Sequence, residues 1–133
     1  MKNLIFVLLI ATFVSCSKED DITIENQQQA STAVVTSFGN FTPTSGHSVS
    51  GQAKVYTDNN VRKVVLENFS ISSGPDLKVY LSKTNTPNDF INLGNLASNT
   101  NFIIPTGTNL SEYKFVIIHC QQFNKIFAFA QLN

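Results

Sequence analysis

Leu4 to Phe13 is an apolar run of ten residues with only Lys2 ahead of it. That is well short of the roughly 20 residues a membrane-spanning helix needs. It therefore predicts the hydrophobic centre of a cleaved export signal over residues 1–15, which takes no part in the fold. From Asp20 to about Thr36 the chain turns polar and carries the triplet Gln27-Gln28-Gln29. With little to bury, residues 16–36 predict a tether, although Ala33-Val34-Val35 has the composition to begin a strand. Past Gly39, short β-branched and aromatic runs alternate with Gly, Pro, Asn and Asp clusters, the pattern of strands and turns. Gly51–Thr57 and Val61–Phe69 flank Asp58-Asn59-Asn60, whose side chains tolerate left-handed backbone angles, so a hairpin is predicted there. In Leu77–Leu81 the period of two puts Leu77, Val79 and Leu81 on one face and Lys78 and Tyr80 on the other. Phe90–Leu93, Phe102–Ile104 and Ile126–Leu132 complete the series. Lys114–Cys120, the most hydrophobic of these runs, is predicted to be a central strand. No helical stripe appears. About seven or more short strands in residues 37–133 predict a single all-β domain, an antiparallel β-sandwich.

The signal gains meaning from the residue behind it. Ser15-Cys16 closing the apolar run resembles a bacterial lipobox, which implies that Cys16 becomes an acylated N-terminus anchored by more than one chain. The expected address is the cell envelope. Ser17, standing where an aspartate would retain the protein, favours the outer membrane. The acidic run Glu19-Asp20-Asp21 resembles a tag for display at the cell surface; a solvated linker is the other reading of that run.

Charge and cysteine content narrow the chemistry. Nine basic and nine acidic residues leave no net charge and no basic footprint for nucleic acid. With Cys16 acylated, Cys120 is the one remaining thiol, so the domain is expected to hold together through its core. A lone thiol in an exported protein is a reactive, metal-binding or intermolecularly paired group, or else a small packed hydrophobe. No Cys-x-x-Cys-His, His-Glu-x-x-His or phosphate-cradling loop occurs, and the only methionine is Met1. Covalent haem, zinc and methionine-ligated copper therefore lack their ligands, and no metal site is expected. Gly46-His47-Ser48-Val49-Ser50-Gly51 falls short of the nucleophile-elbow spacing, which points away from an esterase and from enzymes generally. The remaining candidates are few. His47 sits in a Gly-Ser loop, His119 precedes Cys120, and Asp76 follows Gly74-Pro75, where an aspartate can accept backbone N–H groups. Neighbours on a strand face opposite ways, so His119 and Cys120 converge only if a bulge intervenes.

Gly39-Asn-Phe41, His47-Ser-Val-Ser-Gly51, Glu67-Asn-Phe69, Gly74-Pro75-Asp76-Leu77, Val79-Tyr80-Leu81 and Val116-Ile-Ile-His-Cys120-Gln-Gln-Phe123 together resemble the DM-thirteen family, also called electron-transfer DM. The resemblance spans Ser37 to Asn133. It implies a β-sandwich-like extracytoplasmic domain whose cysteine, here Cys120, acts in redox as a bare thiol or a cofactor ligand. His119 stands where the family commonly has Trp, and Ala128 where it has Gly. No cofactor is required by the sequence; haem and copper are the groups such a ligand would serve. Expected partners are the membrane, through the N-terminal lipid, and a redox or surface protein. The two functions this leaves are electron transfer through Cys120, with His47, His119 and Asp76 as accessories, and a non-catalytic binding or envelope-structural module in which Cys120 packs. Burial separates them, because a reactive thiol is partly exposed and an inert one enclosed.

Overall fold

The computed structural model describes residues 32–133; Cys16, the export signal predicted over residues 1–15 and the acidic run lie outside the described residues. Eight strands form in chain order: β1 (Val34–Pro43), β2 (Val49–Asp58), β3 (Val61–Ile71), β4 (Leu77–Ser82), β5 (Phe90–Asn95), β6 (Asn101–Ile104), β7 (Phe115–Cys120) and β8 (Lys125–Gln131). All pair antiparallel, in the order β5-β4-β7-β8-β1-β2-β3-β6. The predicted all-β fold is observed, with the sheet curled into two facing layers and its edges β5 and β6 brought near each other.

β1 belongs to both layers. Val34–Asn40 pairs with β2, whereas Phe41–Pro43 pairs with β8. The strand crosses over at Gly39, where a Cβ would lie 2.0 Å from the Gln131 carbonyl oxygen. Only a residue without a side chain lets the two backbones approach that closely. β1 also begins inside the segment assigned from sequence to the tether, and no strand was predicted over Gly39–Pro43. Its composition of Ser, Gly, Asn, Thr and Pro hides a strand whose partners, not propensities, hold it.

The predicted hairpin is present. Asn59 and Asn60 both take positive φ between the paired residues Asp58 and Val61, the two-residue turn whose twist matches that of its strands. Further along, a bulge between Ser50 and Gln52 places Gly51 at φ +101°, against the backbone of Glu67–Phe69. β7 is central, between β4 and β8.

One core lies between the layers. Val55, Val64, Leu66 and Phe102 come from one side, and Val79, Leu81, Val116, Ile118 and Ala128 from the other. Leu77, Val79 and Leu81 face inward as predicted. Tyr80, on the outer face, is nevertheless buried, as is Ile117 beside it. The outer surface of the β4–β7–β8 layer is therefore partly dry as well.

Candidate functional site

Three turns meet at the end of the domain away from the β2–β3 hairpin: 43–48 after β1, 72–76 after β3 and 121–124 after β7. Backbone bonds tie them together. The Ser72 N–H donates to Ser48 O at 3.0 Å, the Gln121 N–H to Asp76 O at 2.9 Å, and the Thr44 N–H to Phe127 O at 3.0 Å. The Thr44 hydroxyl adds a 2.6 Å bond to Ile126 O. This end gathers His47, Asp76 and Cys120, with His119 one residue back on the outer face. It does not give them a shared environment.

Cys120 ends β7 opposite Leu77 and Lys125. Its side chain points into the core and has no exposed surface. Phe123, three residues on, is 60% exposed in the turn beyond; Leu77 and the rest of the core cluster do the covering. A cleft of about 380 Å³ lies alongside, lined by Phe69, Ile71, Leu77 and Leu96 with hydroxyls from Ser73 and Thr100. Leu77 thus stands both at the cleft wall and on the ladder beside the thiol.

His119 faces the other way. A bulge does occur here, between Ile118 and His119, but the extra residue is Phe127 on β8. His119 and Cys120 keep opposite faces. The imidazole packs against Tyr80, ring centroids 5.2 Å apart, and Tyr80 stacks on Phe90 at 4.2 Å. Its Nδ1 is buried without a hydrogen-bond partner. Burial lowers the His119 pKa, and the nearby Asn124 side chain works in the opposite direction. Burial likewise raises that of Tyr80. With its folded-state pKa lowered, His119 contributes stability that is complete above the ordinary histidine value of about 6.5 and is lost as pH falls through and below it. Urea midpoints measured from pH 7 down to about pH 5.5 are expected to decline in the wild type and to decline less in His119→Phe, where Lys78 and Tyr80 remain as neighbours.

His47 lies flat on Phe127, ring centroids 3.7 Å apart, with its backbone N–H donating to Thr44 O at 3.1 Å. Its Nε2 is buried and unpaired. The Asp76 carboxylate forms an ion pair with Lys78 at 2.7 Å, a structural use of the turn acid. Among the described residues no three His, Cys, Asp or Glu side chains are grouped to hold a metal. The donors do not fit haem iron or copper at Cys120, because the thiol points into the core while the adjacent imidazole points out.

Sequence reasoning overlooked Phe127. Its ring touches His47 and approaches Gly74, where a Cβ would meet the Phe127 ring at 2.9 Å, and it belongs to the core that also holds Cys120. The available signal was a large aromatic in Ile126-Phe127-Ala128-Phe129-Ala130, where small residues alternate with rings and Gly74 leaves room for one.

The family described as Electron transfer DM13 matches residues 37–132. No curated protein and no solved structure was found to match the chain.

Proposed function

Because the chain belongs to the Electron transfer DM13 family, we propose that it serves electron transfer in the cell envelope as a lipid-anchored docking module for a redox partner protein, with Cys120 as a packed core residue. The observation that carries this reading is the complete enclosure of the Cys120 side chain. Thiol exchange proceeds through a thiolate that reaches the partner's sulfur in line, and an enclosed thiol meets neither condition. Anchoring through Cys16, residence in the outer membrane and display at the surface belong to the same proposal, on the strength of the apolar run, Ser17 and the acidic residues behind it.

The other reading, redox chemistry at Cys120 itself, draws on one feature. The thiol ends its strand, and Leu77 beside it lines an open cleft. Labelling with a thiol reagent decides between the two. If Cys120 is packed, the native protein should react at least about a thousandfold more slowly than the same protein in denaturant, in line with the small unfolded population of a stable domain. Reaction of the folded protein at the denatured rate would transfer the proposal to the thiol.

A further inference from the structure

On the outer face of the β1–β2–β3–β6 layer, strand register puts Val35, Tyr56, Lys63 and Ile103 in one row and Phe38, Lys54, Val65 and Asn101 in the next. Val35 is 40% exposed, Phe38 49% and Ile103 61%; Val61, the next outward position along β3, is 53% exposed. Scattered apolar side chains on a surface need no explanation; here four large ones share one sheet face. The charges on this face are unequal in availability. Glu67 is taken up by Lys54 at 2.6 Å and by the Tyr56 hydroxyl, and these contacts lower its pKa, Lys54 first. Lys63 makes no ion pair among the described residues. The face therefore offers apolar side chains on β1, on β6 and beside the hairpin, with the Lys63 ammonium group between them and the Glu67 carboxylate already matched; the Asp58 carboxylate, opposite Val61, accepts from the Thr32 hydroxyl.

The chain enters at the rim of this face. The Thr32 hydroxyl donates to the Asp58 carboxylate beside the β2–β3 turn, so the segment from Cys16 departs from there. At about 3.4 Å per residue, some sixteen residues reach no more than about 55 Å.

We propose that this face lies on a phospholipid bilayer, with Val35, Phe38, Val61 and Ile103 in the boundary between headgroups and acyl chains and Lys63 at a lipid phosphate. The proposal rests on the anchoring of Cys16 argued above. A tether of this length holds the bilayer at a high effective concentration beside its own attachment rim, an advantage that no freely diffusing partner has. Apolar insertion and phosphate attraction then add on one surface. The His47–Cys120 end is at the opposite end of the strands from the hairpin, so docking on this face fixes which way that end points.

The chain contains no tryptophan, so Ile103→Trp and Phe38→Trp each supply a single indole. The full-length protein carrying either one is reconstituted into vesicles of phosphatidylethanolamine and phosphatidylglycerol containing brominated phosphatidylcholine, and its palmitate content is measured on the same sample. Both indoles should emit at shorter wavelength than in water and lose at least half their intensity to bromine, while Gln122→Trp, in the exposed turn after β7, should keep its intensity. Palmitate-labelled protein whose Ile103→Trp and Phe38→Trp emission is unquenched overturns the docking proposal alone. A blue-shifted, unquenched indole that depends on protein concentration assigns the face to a second copy and overturns it equally. Protein lacking palmitate refutes the anchor instead.

Discussion

Gly39→Ala is expected to cost at least about 4 kcal/mol, enough to leave much of the domain unfolded. The added methyl would sit 2.0 Å from the Gln131 carbonyl oxygen and 2.7 Å from its carbon. Both are backbone atoms, so no rotamer change relieves the contact, and relief requires β1 and β8 to separate where β1 passes between layers. Thr42→Ala, an exposed change three residues along the same strand, should stay within about 0.5 kcal/mol. Urea unfolding of the two variants makes the comparison; equal midpoints would mean that the crossing is not held by this close approach.

Phe127→Ala should cost about 3 to 5 kcal/mol, the range for deleting a buried aromatic ring. The ring is 3% exposed, supports His47 and fills the space beside Gly74. At about 1.4 kcal/mol per factor of ten, Cys120 should react with a thiol reagent hundreds to thousands of times faster than in the wild type, in step with the lost stability. Phe127→Leu should restore most of both. Unfolding curves and labelling rates on the same samples give the answer. A thiol that gained more reactivity than the lost stability accounts for would show that this end opens by itself, and would return Cys120 to a redox role.

Much of the architecture was legible because several local signals agreed. Asn59-Asn60 specified the hairpin through backbone angles that few residues tolerate, and the period of two in Leu77–Leu81 oriented β4. The β-branched run ending at Cys120 marked the central strand, and its neighbour's opposite orientation followed from the pleat alone. What failed to register depends on partners far away in the chain. β1 is held by β2 on one side and β8 on the other, and its apolar residues Val34, Val35, Phe38 and Phe41 follow no regular alternation. Alternation set Tyr80 on the face away from the core and left open which of His119 and Cys120 faces inward, and it gave no sign that the outer face of their layer buries Tyr80 and His119 against Phe90 and each other. Phe127 gained its place through a bulge in β8, and a one-residue offset of that kind leaves no periodic trace. Phe123 follows the thiol closely in sequence, but the positive φ at Asn124 belongs to a tight turn that carries its ring into solvent.

The division of β1 between two layers also sets a timetable. Phe41–Pro43 finds its partner only in Ala128–Ala130, and Phe38 exchanges backbone bonds with Asn133, so the first strand cannot be secured until the last residues of the domain are at hand. Pairings of such long range are slow to form, on the scale of milliseconds to seconds. A polypeptide emerging from a ribosome would therefore leave this seam open until residues 128–133 have emerged as well. Until then the half of β1 that pairs with β2 can form alone, and the two layers stay unjoined: the connection that closes the domain is also the last to be made.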